Sequence, residues 1–136
     1  MGIFASLFGR SNGDSPERFV SKDGFRRNLA KQTTMSPLTI SQLREHGVAE
    51  SSQRKLEFFF YTSAASKAAA LANARRELGY LAEAEKAAHD KRLQIVTGWT
   101  TPMLVSEQIV VAWTEQMCRL GYEHDAEFDG WGTHLT

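Results

Sequence analysis

The sequence predicts an α+β sandwich of the ferredoxin-like kind, βαββαβ, and three observations predict it. First, segments that alternate with a period of two stand before and after segments with helical spacing. Residues 55–62, 81–88, 92–100 and 122–129 read as strands, and 63–78 and 102–120 as helices. Second, both helices run into Leu-Gly-Tyr and then into Ala-Glu. This occurs at Leu78-Gly79-Tyr80 with Ala84-Glu85, and 42 residues later at Leu120-Gly121-Tyr122 with Ala126-Glu127. Third, 136 residues with 42% hydrophobic and 24% charged side chains suit one soluble globular domain. Two βαβ halves with right-handed crossovers interleave into a four-stranded antiparallel sheet, ordered 122–129, 55–62, 92–100, 81–88, with both helices on one face.

An N-terminal helical extension precedes this unit. Residues 1–35 are expected to be an arm, partly disordered or loosely helical. Ile3, Phe4, Leu7 and Phe8 offer one apolar turn, Met1-Gly2 with Ser6 fits an N-myristoylation pattern, and 16–34 are polar and basic. Ser36-Pro37 reads as a helix start, with Ser as cap and Pro at the first helical position, and Gly47 reads as the stop. That gives a short helix over 37–46 and a linker to residue 54, before the domain proper at 55–136.

Within the domain, Lys55–Thr62 is the strongest strand. Leu56, Phe58 and Phe60 point one way and Glu57, Phe59 and Tyr61 the other, which suits a central position. Ser63 caps the first main helix, whose alanines permit close approach to a sheet, and Gly79 ends it. Leu81–Ala88 alternates weakly, as an edge strand does. Leu93, Ile95, Thr97 and Trp99 share one side of the next strand. Pro102 opens the second main helix, with Val105, Ile109, Trp113, Met117 and Leu120 at helical spacing and Gly121 as its stop.

The neutral total hides a charge gradient. Residues 1–54 hold eight Lys/Arg against five Asp/Glu, residues 55–136 hold eight against eleven, and no Lys or Arg follows Arg119. An acidic pole argues against direct nucleic-acid contact and suits a basic protein partner. Lone Cys118 excludes an internal disulfide, and the start lacks a basic leader, so a cytoplasmic location is expected. No apolar run reaches the roughly 20 residues of a membrane span. No HExxH, CxxC, P-loop or GxGxxG occurs, the four histidines are scattered, and Cys118 lies near a helix's apolar stripe. His124 and Asp129 point to opposite faces of their strand, so they do not converge with His134 on a metal. The chain is expected to be no enzyme and to carry no cofactor.

The last strand alternates Glu123, Asp125, Glu127 and Asp129 against Tyr122, His124, Ala126 and Phe128, then ends in Phe128-Asp129-Gly130-Trp131-Gly132-Thr133. Two readings stand. The glycines supply a turn while Trp131 packs on the core, or Trp131 and the carboxylate row form a recognition surface. The candidate partner-binding residues are Glu123, Asp125, Glu127, Asp129 and Trp131, with Phe59, Tyr61 and Val96 as an apolar centre on the open sheet face. A different reading is a dimeric domain that senses a small ligand at its seam.

At FDGWGT and at Leu78-Gly79-Tyr80 the chain resembles the regulators of ribonuclease activity B, inhibitors of ribonuclease E, over residues 55–136. The resemblance implies a ferredoxin-like fold and a non-enzymatic protein that binds a ribonuclease, at an arginine-rich segment outside its catalytic part. Its partner would be ribonuclease E or another enzyme with a basic segment. Phe128, Asp129, Gly130, Trp131, Gly132 and Thr133 carry the motif. The chain departs from the family's strongly acidic pattern in being neutral and in having a basic start.

Overall fold

The computed structural model describes residues 18–135. It is an α+β fold whose elements run α1 (Lys22–Glu45), β1 (Gln53–Arg54), β2 (Glu57–Thr62), α2 (Ala65–Arg76), β3 (Leu81–Lys86), β4 (Gln94–Trp99), β5 (Met103–Leu104), α3 (Glu107–Glu123) and β6 (Glu127–Gly132). A four-stranded antiparallel sheet has the order β3-β4-β2-β6, and β1 and β5 form a separate short ribbon. The N-myristoylation pattern and the apolar turn at Ile3–Phe8 lie outside the described residues.

Alternation decides the core. In β2, Phe58, Phe60 and Thr62 are fully buried while Glu57, Phe59 and Tyr61 are half-buried. Phe60 is paired with Val96 on β4 and Phe128 on β6, so these side chains share the inner face. Ala68, Leu71 and Ala72 of α2, and Val110, Trp113 and Met117 of α3, close over it. Each fully buried phenylalanine is worth about 1.5–3 kcal/mol relative to exposure. Val96 therefore belongs to the core and not to the open face, where the sequence reading had set it beside Phe59 and Tyr61.

The first helix departs most from expectation. Ser36-Pro37 is not a helix start: α1 begins at Ser21, whose hydroxyl accepts from the Gly24 amide at 3.0 Å, and runs through Pro37 to Glu45. Residues 22–35 are thus ordered helix and not a loose arm. Pro37 lacks the N–H that would bond the Thr33 carbonyl. The helix persists because Gln32, Ser36, Ile40 and Leu43, spaced on one face, bury against the rest of the fold, chiefly α3. Ser36 is no cap. Its hydroxyl accepts from Trp131 Nε1 at 3.0 Å and meets Thr114 Oγ1 at 2.7 Å, and Thr114 in turn donates to the Val110 carbonyl at 2.8 Å. This chain of donors ties α1, α3 and β6 together.

Two smaller differences concern the other helices. Ser63 does not cap α2, whose N-cap is Ala64 with no side-chain bond. Pro102 precedes β5, and α3 starts later, at Ser106, whose Oγ accepts from the Ile109 amide at 3.2 Å. The apolar stripe of α3 accordingly falls on Val110, Trp113, Met117 and Gly121, leaving Ile109 exposed.

The two Leu-Gly-Tyr segments do different jobs. Gly79 has φ +85 and ends α2: the Tyr80 amide reaches the Arg75 carbonyl and the Gly79 amide that of Arg76. Gly121 lies inside α3, and a Cβ there would sit 2.9 Å from the Ala126 carbonyl and 3.0 Å from the Phe60 ring. It serves close approach. The helix runs on to Glu123, and the left-handed residue that ends it is Asp125, φ 57, with the Ala126 amide on the Gly121 carbonyl and the Asp125 amide on that of Tyr122. The last strand is correspondingly shorter than 122–129 and begins at Glu127.

Asp125 is buried, 5% exposed. Its carboxylate accepts from the amides of Phe19 and Val20, both at 2.8 Å, pairs with Lys67, and lies 3.6 Å from Arg18 Nε. Burial alone would raise its pKa, but the Lys67 bond and the two amides outweigh that and hold it below the ordinary value. An aspartate in the left-handed region is tolerated better than most residues, and here its side chain anchors the segment leading into α1.

Two outcomes follow from these contacts. Gly121→Ala should destabilise the protein by about 1–3 kcal/mol in denaturant unfolding, because backbone and a core ring both block the new methyl. Asp125 has a lowered folded pKa, so its ionised form contributes stability that is complete above about pH 3.9 and lost as pH falls through the lower folded value. Asp125→Asn should cost about 1–3 kcal/mol at neutral pH and flatten the acid limb of the stability–pH curve. An unchanged acid limb would count against this role.

Candidate functional site

The face of the sheet opposite the helices is built by the odd positions of β2, β3 and β4 and, on β6, by Glu127 and then the even positions Gly130 and Gly132. Three rows cross it. Leu81, Trp99 and Glu57 form one, Glu83, Thr97, Phe59 and Gly130 the second, and Glu85, Ile95, Tyr61 and Glu127 the third. Phe59, Tyr61, Ile95 and Trp99 are all half-buried, so an apolar centre lies open. Tyr61 meets His89 edge-on at 5.3 Å between ring centroids, and Trp99 stacks on His134 at 4.8 Å. Around this centre stand Glu57, Glu83, Glu85 and Glu127, and no Lys or Arg occupies a position of the face within these strands. Beside the Trp99 end is a cleft of about 480 Å³ that includes Leu81, Pro102 and His134 together with the basic Arg54 and Lys55. Thr97 Oγ1, in the middle row, is buried and has no hydrogen-bond partner among the described residues.

The sequence-derived residues divide between this face and elsewhere. Phe59, Tyr61 and Glu127 are on it. Glu123 ends α3 and borders a separate cleft with Lys67 and His124. Asp125, expected in an exposed carboxylate row, is instead a buried, ion-paired residue just past the His124 cap of α3, because the chain there is still leaving the helix and has no strand alternation. Asp129 is exposed on β6. Trp99, Glu57, Glu83 and Glu85 were missing from the sequence-derived set. The shared parity of Trp99 with Thr97 and Ile95, opposite buried Val96, was the available signal for the tryptophan.

Trp131 faces the helix side. Phe59 is paired with Gly130 but Phe60 with Phe128, so Asp129 is an extra residue, a β-bulge. Gly130 supplies φ +115. The bulge reverses the alternation, bringing Trp131 opposite Phe58 on the same side as Phe128. There it is half-buried, edge-on to Trp113 at 6.5 Å, with its indole N–H on Ser36. Thr133 Oγ1 donates to the Lys55 carbonyl at 2.8 Å and ties down the end of the motif. The motif thus joins the last strand to α1 and α3, the packing reading of the two the sequence allowed.

The two sheet edges differ. Along β6, Asn28 of α1 donates to the outward Phe128 carbonyl at 2.9 Å, so the helix covers that edge. Along β3 only Ala82 is buried. Glu127 is half-buried, and burial first, then the neighbouring Asp129, push its pKa up, with Lys31 opposing. A carboxylate held so is poised to gain from an arriving cation.

Chemistry for catalysis is sparse among the described residues. Burial pushes the Cys118 thiol up to about 12, so it is no nucleophile at neutral pH. Among the described residues, no group of three or more His, Cys, Asp or Glu side chains is placed to hold a metal ion, and no helix is long and apolar enough to cross a membrane.

Comparison with known proteins sets these features in a family. No curated protein matches the chain. Residues 35–133 match the family described as "RraB: Regulator of ribonuclease activity B". The match starts one residue before Ser36 and ends at Thr133, so it takes in the second half of α1, the whole sheet and the Trp131–Ser36 junction. Covering most of its length, this match makes the chain a member of the RraB family.

Proposed function

We propose that the protein is a non-enzymatic regulator that binds a ribonuclease, ribonuclease E or another enzyme with a basic segment, through its open sheet face. One observation supports the reading: half-buried Phe59, Tyr61, Ile95 and Trp99 share the sheet face opposite the helices with Glu57, Glu83, Glu85 and Glu127. Apolar centre and polar rim are the anatomy of a protein-binding patch. Family membership supports the ribonuclease as the partner. The carboxylate rim favours a basic surface, steered to the site by charge. Regulation then needs only occupancy: the partner's basic segment is covered and unavailable to other ligands. We take the fold as ferredoxin-like, since α2 and α3 each link two strands of the sheet with one strand between them, and the working location as the cytoplasm.

The experiment is capture of the basic, non-catalytic segment of ribonuclease E by the purified full chain, with nuclease activity measured in parallel. Glu83→Lys/Glu85→Lys reverses two exposed rim charges and is expected to weaken capture by at least about tenfold, with a steep loss on raising salt in the wild type. Glu115→Lys, on the outer side of α3, serves as the control and should capture normally. Equal capture by the rim variant and the control would rule out the open face as the contact.

A further inference from the structure

A second feature adjoins the open face at Phe59. Between α1 and the β6 bulge lies a cleft of about 220 Å³, the size of one long side chain, formed chiefly by Gln32, Met35, Phe59, Asp129, Gly130 and Trp131. Its donors are engaged within the protein, the Trp131 indole on Ser36 and the Thr39 hydroxyl on the Met35 carbonyl, while two acceptors remain open. Gln32 is 4% exposed, and its Nε2 donates to Asn28 Oδ1 at 3.4 Å, while its Oε1 takes no hydrogen bond among the described residues. That oxygen points at Gly130: a Cβ on residue 130 would be 3.7 Å from it. Asp129, the bulge residue, is exposed and forms no ion pair among the described residues. The remaining walls are the rings of Phe59 and Trp131, the thioether of Met35 and the hydroxyl-bearing side chains of Ser36 and Thr39.

An amide oxygen that opens on the cleft with no hydrogen bond among the described residues, an exposed carboxylate and two aromatic walls suit a cationic ligand. We propose that this cleft takes a cationic side chain of the partner's basic segment, and specifically an arginine. The proposal rests on the reading of the open face as the surface for that segment. Lysine offers a single compact ammonium group. The guanidinium is planar, carries five donors, and can reach Gln32 Oε1 and Asp129 together while lying flat on an aromatic wall. The bulge is what makes the cleft. It turns Asp129 outward and Trp131 inward, and it places a residue without a side chain where a Cβ would stand against Gln32.

The test is a magnetic-resonance titration of the isotope-labelled full chain with a short synthetic peptide of alternating arginine and serine. The same peptide with lysine, or with citrulline as neutral isostere, provides the comparison. The arginine peptide is expected to shift the Trp131 indole N–H and the Gly130 amide, the lysine peptide to bind more weakly, and the citrulline peptide to leave both signals in place. Asp129→Asn, an exposed change that spares the core, should weaken the arginine peptide about tenfold, as loss of one charge-assisted contact does. Glu115→Gln should bind as wild type. Unmoved Trp131 and Gly130 signals, or Asp129→Asn binding as tightly as wild type, would overturn the cleft. Lysine or citrulline bound as tightly as arginine would overturn its preference for a guanidinium. None of these results decides the face itself, which stands or falls on capture of the ribonuclease segment and its loss in Glu83→Lys/Glu85→Lys.

Discussion

A single extra residue in the last strand governs how this molecule is put together. Without the bulge at Asp129, strict alternation would send Trp131 to the open side with Phe59, leaving its indole N–H away from Ser36. With the bulge, Phe128 and Trp131 both enter the helix side. The indole then donates to Ser36, Ser36 meets Thr114, and α1 is held against α3 and along the β6 edge. Gly130 makes the turn possible at φ +115, a conformation that side chains with a Cβ rarely adopt. The glycine-tryptophan-glycine motif is therefore a joint whose chief work is to fix a helix.

The helix ends show how one backbone need is met by different residues. After α1 and α2 the left-handed position is Gly47 and Gly79, at no steric cost. After α3 it is Asp125, at some cost, and the carboxylate gives back two amide bonds and two cationic partners. The exchange ties the chain around residues 18–20 to α2 and α3, so one aspartate ends one helix and positions the approach to another. Burial opposes the charge, and the bonds that overcome it make this corner sensitive to acid.

Much of the sheet was legible in the sequence because period-two patterning is a local signal that burial reinforces. Strand positions and their order followed from alternation and from the two similar halves. Misreadings arose where distant contacts override local chemistry. Ser36-Pro37 has the form of a helix start, yet buried contacts of Gln32, Ser36, Ile40 and Leu43 carry the helix through the proline. Gly121 looks like Gly79, yet the Phe60 ring, far away in sequence, is what excludes a larger residue. Asp125 has the spacing of an exposed row only for a strand that begins at residue 122, and β6 begins at Glu127. At the site, Phe59, Tyr61 and Glu127 were legible from parity. Trp131's orientation was not, since a bulge leaves no mark in alternation until the partner strand is known.

These constraints leave one side of the molecule free to bind. Trp131 is turned to the helix side and borders only the cleft beside α1, so the aromatic side chains of the open face itself are Phe59, Tyr61 and Trp99, with glutamates around them. The most direct measurement is amide line broadening in the labelled chain when the basic segment of ribonuclease E is added. The account predicts broadening at Phe59, Tyr61, Thr97 and Trp99, with the outer surfaces of α2 and α3 unaffected. Broadening confined to those helices, with the open face silent, would contradict it.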